Sequence, residues 1–245
     1  MYDLTDAQLG IKARAHDLTE SKLHERAAKH DETEEYPWDT IQDLVDHGFM
    51  GMTVPKEYGG PGFGFLETAL VIEEVSRACG STGRIVTEGN MGAIAAIMAF
   101  GSEEQKKISA ELVLAGDKPA LCMTEPEAGS AATAMTTKAV KMDDVYIING
   151  LKHWITGGAD VAKLHLVLAR VEEDGEDQGI GGFIVVHEGT TKGMRATKRH
   201  RGMGLRCLPE MEVVFEDLEV HESMAIKPEG GWRRGFAGII DSYKS

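Results

Sequence analysis

The feature that most constrains this chain is a change of hydrophobic period near residue 118. Before it, apolar residues recur at helical spacing. After it, they alternate or cluster in runs of strand length. A helical block followed in this way by a run of strands segregates helices from strands, so the expected class is α+β. At 245 residues the chain has room for two domains, and the boundary is placed at residue 118.

The helical half carries its own start and stop signals. Thr5-Asp6-Ala7-Gln8 has the Thr-x-x-Gln form of a capping box and opens a polar periodic stretch that runs to about Asp31. Pro37 introduces PWDTIQDLVDHG, with Ile41, Leu44 and Val45 on one face and Gly48 as the stop. FLETALVIEEVSRACG reads as an apolar helix closed by Gly80, with Ser81 a helix-end residue, and Met91 to Phe100 as a buried one. Ser102-Glu103-Glu104-Gln105 repeats the capping box before a last helix ending near Gly116.

Beyond Pro119, ALCM, TTKAVKM, VYIIN, LKHWIT, KLHLVLARV, GGFIVVHEG, MRATKR and EMEVVFEDLEV read as strands. Asn149-Gly150 is the strongest hairpin signal among them. The pattern turns helical again in GWRRGFAGIIDSYKS.

Composition excludes several classes. A net charge of −14 argues against nucleic acid or an anionic membrane as the main partner. Cys79, Cys122 and Cys207 are odd in number and far apart, which suits small hydrophobes in a reducing compartment rather than a disulfide framework or a metal knuckle. No secretory signal opens the chain and no apolar run reaches membrane-spanning length, so a cytoplasmic location without a membrane is expected. Walker A and GxGxxG patterns are absent, and His24 and His30 lack the spacing of a zinc helix and read as a solvated face. No metal is expected. The basic run Lys198-Arg199-His200-Arg201 with Arg206 reads as a solvated strand-and-turn face with an interface role.

Two segments point to an aromatic, phosphorylated cofactor when they are taken together. In CMTEPEAGSAATAMTT, Thr124 follows a short strand, and Gly129-Ser130 offers backbone N–H groups and a hydroxyl with little bulk, which suits a pyrophosphate. Trp154-Ile155-Thr156-Gly157-Gly158 ends another strand with an aromatic face, a hydroxyl and two glycines. Glu125 and Glu127 read as residues that shape a turn, not as an acid–base pair.

These motifs resemble the acyl-CoA dehydrogenase family. CMTEPEAGS is similar to its first signature and YIINGLKHWITGG to the strand pair that follows. MGLRCLPEMEVVFEDLEV is similar to the segment that closes its β domain, FGSEEQKK to the turn before its last N-terminal helix, and EGGWRRGF to the approach to its C-terminal helices. The resemblance implies an N-terminal helical domain over 1–118, an antiparallel β-barrel-like middle domain over 119–226 and the start of a C-terminal helical domain over 227–245, with the C-terminal bundle missing. It also implies FAD. Leu121, Met123 and Thr124 would border the isoalloxazine, Gly129 and Ser130 would take the pyrophosphate, and Trp154, Ile155 and Thr156 would lie at the flavin face and N5 side. Ala131 departs from the family's usual Asp, and Thr156-Gly157-Gly158 replaces Thr-Asn-Gly.

The resemblance further implies an acyl-CoA thioester substrate and a homotetramer. It places Arg84 and Glu88 near the bottom of the acyl pocket, and Ser130 and Tyr243 among the substrate contacts. A guanidinium buried there needs an anionic partner, either Glu88 at i+4 or a charged end of the acyl chain. Within the family the whole chain is most similar to the desulfinase branch, which hydrolyses 3-sulfinopropanoyl-CoA to propanoyl-CoA and sulfite, with Arg84 as the anchoring residue. The alternatives are a dehydrogenase of a short, dicarboxylic acyl-CoA and an inactive fragment. The first-helix catalytic glutamate of the dehydrogenases would fall directly after Ser245.

Overall fold

A computed structural model of the chain describes residues 3–227, 231–234 and 237. It opens with α1, Asp6–Leu18. Gln8 N donates to Thr5 Oγ1 at 3.3 Å and Thr5 N donates to the Gln8 side chain at 3.0 Å, which completes the box read from sequence. A π-helical turn, Thr19–Leu23, leads into α2, His24–Thr33. Then come α3 (Trp38–Asp46), α4 (Phe65–Ala78), α5 (Gly80–Asn90), α6 (Ala93–Phe100) and α7 (Glu103–Leu114). The Ser102–Gln105 box also forms, and the Gln105 amide donates onward to Ser223 O at 2.7 Å and Ala225 O at 3.1 Å. That contact ties α7 to the end of the sheet.

Two sequence expectations in this half are corrected. Gly80 does not close the helical run. Cys79 is a single extended residue, φ −149°, between α4 and α5, and Gly80 begins α5. GSTGRIVTEGN is poor in strong helix formers, so burial of Ile85 and Val86 and the Asn90 side chain hold it, Asn90 Nδ2 donating to Phe49 O at 2.9 Å and Val86 O at 2.7 Å. His30 is buried rather than solvated, with Nε2 3.0 Å from Asp39 Oδ1.

The second half is one sheet. Its strands are β1 (Ala120–Cys122), β2 (Lys138–Met142), β3 (Val145–Thr156), β4 (Leu164–Glu173), β5 (Glu176–Val186), β6 (Met194–His200), β7 (Glu210–His221) and β8 (Ala225–Ile226). The order is β6-β7-β3-β2-β4-β5-β8, with β1 added beside β4. β1 and β2 both run parallel to β4, while the other pairs are antiparallel. The expected antiparallel barrel is therefore replaced by an open, mixed sheet. Alternating hydrophobicity specifies which face of a strand is buried but not its neighbour. After β3 the chain places β4 on the far side of β2, and the two then run in the same direction.

The hairpin signal at Asn149-Gly150 is also corrected. The β2–β3 turn is Asp143-Asp144, with Asp143 in the left-handed region at φ 56°. Asn149 and Gly150 lie inside β3 at a bulge against β7. Asn149 exchanges hydrogen bonds with Asp217, and a Cβ on Gly150 would sit 2.4 Å from Thr137 Oγ1. Close approach, not turning, is what the glycine permits.

One core lies on one side of the sheet around Ile148, Val167, Phe183 and Phe215. A second joins α6 and α7 to the sheet through Ile94, Ile97, Leu164, Leu166 and Leu168. A third unites α1, α3, α4 and α5. The basic run also finds a role within the chain. Arg199 Nη2 donates to Glu34 O at 2.7 Å and Arg206 Nη2 to Glu34 Oε1 at 2.5 Å, docking the turn after β6 against the end of α2. Among the described residues no helix is long and apolar enough to cross a membrane.

Candidate functional site

The loop that follows β1 is closed by a buried ion pair. Lys152 of β3 points inward, fully buried, where a strand of this pattern would carry an apolar residue. Its Nζ donates to Met123 O at 3.0 Å and to Glu125 Oε1 at 2.9 Å. The same carboxylate accepts from Thr136 N at 2.6 Å and Thr137 N at 3.0 Å, so Glu125 fastens both ends of residues 125–137. Burial alone would raise the Glu125 pKa, but the hydrogen bonds from Thr137 and Thr136 and the charge of Lys152 outweigh it and hold the carboxyl at about 2. For Lys152, burial lowers the pKa and Glu125 opposes that effect. Glu127 is exposed.

Fastened in this way, the loop presents Gly129, Ser130 and Ala131 at the surface. Nothing lies within 4 Å of where a side chain on Gly129 would begin, and its φ is not positive. The chain's own packing does not require glycine there. Beside the loop, Leu121 and Met123 are half-buried against the helix-side core. Thr124 joins them to β3, because His153 N donates to Thr124 O at 2.8 Å.

At that joint β3 bulges between Lys152 and Ile155. Trp154 takes φ 58°, a region disfavoured for a bulky side chain, and stands 51% exposed. The backbone strain, of order 1–3 kcal/mol, is the kind held at ligand sites by surrounding structure. Ile155 turns the other way: its side chain is in the core, so only its backbone faces the site. Thr156 is buried, and its hydroxyl donates to Glu210 Oε1 at 3.0 Å. Burial raises the Glu210 pKa, against the Thr156 hydrogen bond.

Arg84 joins the same cluster by way of α5. Its guanidinium lies 2.7 Å from Glu88 Oε1, and Lys118 Nζ lies 2.5 Å from Glu88 Oε2. Lys118 Nζ also donates to Thr156 O at 2.8 Å. A continuous polar path therefore runs from Arg84 through Glu88 and Lys118 to Thr156. The sequence-based expectation of a buried Arg84 is corrected, since its side chain is 50% exposed and Glu88 already faces it. Lys118, by contrast, is 1% exposed.

The structure thus brings Arg84 and Thr156 together, and separately sets Thr124 beside the Trp154 bulge. Tyr243 lies outside the described residues. Sequence reasoning passed over Lys118, Lys152 and Glu210. Lys152 had a signal, a charged residue at an inward strand position, whereas nothing in GDKPA distinguishes Lys118 from a loop lysine. Chemically, an exposed aromatic face, an open glycine loop and a hydroxyl at a strand end suit a large planar group with a phosphate tail. The Arg84 cluster suits an anion.

Both halves of the chain match domains of known proteins. The family described as "Acyl-CoA dehydrogenase, N-terminal domain" matches residues 5–117, and "Acyl-CoA dehydrogenase, middle domain" matches residues 120–218. A 3-sulfinopropanoyl-CoA desulfinase of Variovorax paradoxus is 54% identical over all of this chain and 62% of its own length. One from Cupriavidus necator is 52% identical, with the same coverage. Butyryl-CoA dehydrogenase from Megasphaera elsdenii superposes on all of this chain and 64% of its own at a TM-score of 0.88, with 29% sequence identity. The chain spans about 62% of the length of the curated desulfinases it matches. With the matched segments covering both halves in order, the chain belongs to the acyl-CoA dehydrogenase family and carries its N-terminal and middle domains.

Proposed function

We propose that this chain supplies the flavin-facing and acyl-facing walls of an FAD-containing desulfinase that converts 3-sulfinopropanoyl-CoA and water to propanoyl-CoA and sulfite. The observation that carries the reading is the Arg84–Glu88–Lys118 triad. Two cations share the Glu88 carboxylate, and the exposed one, Arg84, faces outward with donors free for a second anion. An incoming sulfinate can take the Arg84 fork while Lys118 keeps Glu88 neutralised, and no buried carboxylate is left alone. The neighbouring Glu210 accepts from the Thr156 hydroxyl, and burial raises its pKa. The reaction cleaves the C–S bond: the carbon gains a proton and the sulfur gains the hydroxyl of water.

FAD, when bound, shapes the pocket and offers polar groups to the thioester carbonyl. Trp154 would meet its ring, Thr124 and Thr156 would hold the ring edges, Leu121 and Met123 would border it, and Ile155 would contribute backbone. Gly129 and Ser130 would hold the pyrophosphate. Arg84 fixes the acyl end, and the Lys118 bond to Thr156 O keeps that anchor in register with the strand end.

The test is to incubate the protein, expressed from its complete coding sequence and loaded with FAD, with 3-sulfinopropanoyl-CoA and to assay sulfite. Sulfite release without reduction of an electron acceptor is the expected result. Acceptor reduction by a succinyl- or glutaryl-type acyl-CoA, with no sulfite, would replace this reading with a dehydrogenase. Flavin retention measured on residues 1–245 alone tests the cofactor wall separately.

A further inference from the structure

Three side chains behind Trp154 have no part in the function proposed above. His153 projects from the β3 bulge, Glu212 from β7 and His200 from the end of β6, so they stand on three adjacent strands. One ligand atom from each lies within 4.8 Å of the others. The His153 and His200 rings meet edge to face with centroids 4.4 Å apart, and His153 Nε2 is 3.9 Å from Glu212 Oε2.

The arrangement is built as well as close. Glu212 Oε1 accepts from Thr197 Oγ1 at 2.7 Å, which orients the carboxylate and leaves Oε2 toward His153. This is how a supporting residue positions a metal-binding carboxylate. His200 Nε2 is buried and has no hydrogen-bond partner. A buried imidazole nitrogen without a partner is a cost of desolvation that a bound ion would recover. The side chains of His153 and Glu212 are 23% and 26% exposed, so an ion can reach them.

We propose that His153, His200 and Glu212 form a binding site for one divalent transition-metal ion of the zinc and cobalt class. Two imidazoles and one carboxylate are a donor set for borderline ions, not for magnesium or calcium, which take oxygen ligands. Bonds of about 2.0–2.1 Å around a tetrahedral ion separate its ligands by about 3.3 Å, so small side-chain rotations close the site. The remaining position is open to water. Trp154 stacks on His200, with centroids 4.3 Å apart and planes at 28°, so an ion held by His200 would also fix the tryptophan ring.

The test titrates metal-free protein with Co²⁺ alone, reading visible d–d absorption and tryptophan fluorescence, and then displaces Co²⁺ with Zn²⁺. The site predicts one Co²⁺ per chain at micromolar affinity, displaced by Zn²⁺. His200→Ala and His153→Ala should each weaken binding by about 100-fold or more, and Thr197→Val by about 10-fold. Trp154→Phe should keep the absorption band and lose most of the Co²⁺-dependent quenching. Circular dichroism of the His200→Ala protein confirms that it is folded before the comparison is made. A band that survives His200→Ala places the ion elsewhere and overturns the proposal, as does saturation only at millimolar Co²⁺.

Discussion

Lys118, 1% exposed, sets its ammonium 2.5 Å from Glu88, a residue thirty positions earlier on α5. Removing one partner of a buried pair leaves an uncompensated charge, at a cost of about 3–5 kcal/mol, whereas removing both costs far less. Glu88→Gln strands the buried Lys118 ammonium and should therefore lower the urea midpoint sharply without changing the denaturant slope. Adding Lys118→Met should recover most of the loss. Lys118→Met alone should cost less, because Arg84 still faces Glu88. Equal losses in Glu88→Gln and the double variant would show that the stranded charge is not what destabilises the protein.

Arg84 reaches the same carboxylate from outside, and the expected consequence is the opposite. A half-exposed i,i+4 pair contributes about 0.3–0.5 kcal/mol, so Arg84→Ala should leave the melting temperature almost unmoved. Losing a charge-assisted contact to an anionic substrate costs about 1.5–3 kcal/mol, which is roughly a 10- to 150-fold loss of sulfite release by the complete protein. Arg84→Lys should restore part of it, lacking the fork. Thermal unfolding and a sulfite assay on the same preparations separate the two effects.

The Glu125–Lys152 pair predicts an acid limb in stability. Glu125 is held at about 2 in the folded protein against an ordinary value of 4.5. Because the folded pKa is depressed, its contribution is present above pH 4.5 and is lost as pH falls from there toward 2. The window corresponds to an amount on the order of 3 kcal/mol. Urea midpoints measured down this range should fall for the parent protein and fall much less for Glu125→Gln, which starts less stable at neutral pH. Parallel curves for the two would assign the acid limb to other carboxylates.

What was legible in the sequence depended on whether the deciding interaction was local. Both capping boxes formed because a Ser or Thr and a Gln three residues later need only each other. Trp154, Gly129 and Thr124 could be picked out because their chemistry is unusual for the local pattern. Asn149-Gly150 misled because Asp217, far along the chain, recruits Asn149, and Thr137 requires the glycine. The start of α5 was illegible, with Gly80 reading as a stop, because the helix is supported by Phe49 and the core rather than by its own propensities. Sheet order, and with it the mixed direction of β1, β2 and β4, is set by which edges are free once β3 is flanked by β2 and β7, and no single strand records that. Arg84 pairs with Glu88, as its i+4 spacing allowed, but it lies half-exposed, and the buried cation, Lys118, belongs to a loop of ordinary appearance.

Trp154 gives a prediction that separates folding from cofactor binding. Its side chain is half-exposed and its φ of 58° suits glycine better than tryptophan. Trp154→Gly should melt no lower than the parent in the flavin-free protein, gaining up to about 1 kcal/mol from relieved strain against the lost stacking on His200. Flavin retained after gel filtration should fall, with affinity weakened about 10-fold for the missing aromatic contact. A variant that melts well below the parent yet keeps its flavin would show that the tryptophan serves the bulge, not the ligand.

Cys79 supplies the last prediction, because it is the extended residue that caps α5. The neighbouring Cys207 thiol, against burial, and the start of α5 at Ser81 and Thr82 lower its pKa. Cys207, the other member of that pair, is pushed up, and burial raises Cys122 to about 12. Reactivity follows the thiolate, so iodoacetamide at about pH 6.5 should label Cys79 first, despite its partial burial, and leave Cys122 unmodified. Cys207→Ala removes the leading cause of the shift, so it should move the pH midpoint of Cys79 labelling upward even as it opens access to the sulfur. Those two effects act in opposite directions on rate but only one moves the midpoint, so peptide mass mapping across a pH series distinguishes them. A midpoint unchanged in Cys207→Ala would assign the low pKa to the start of α5 alone.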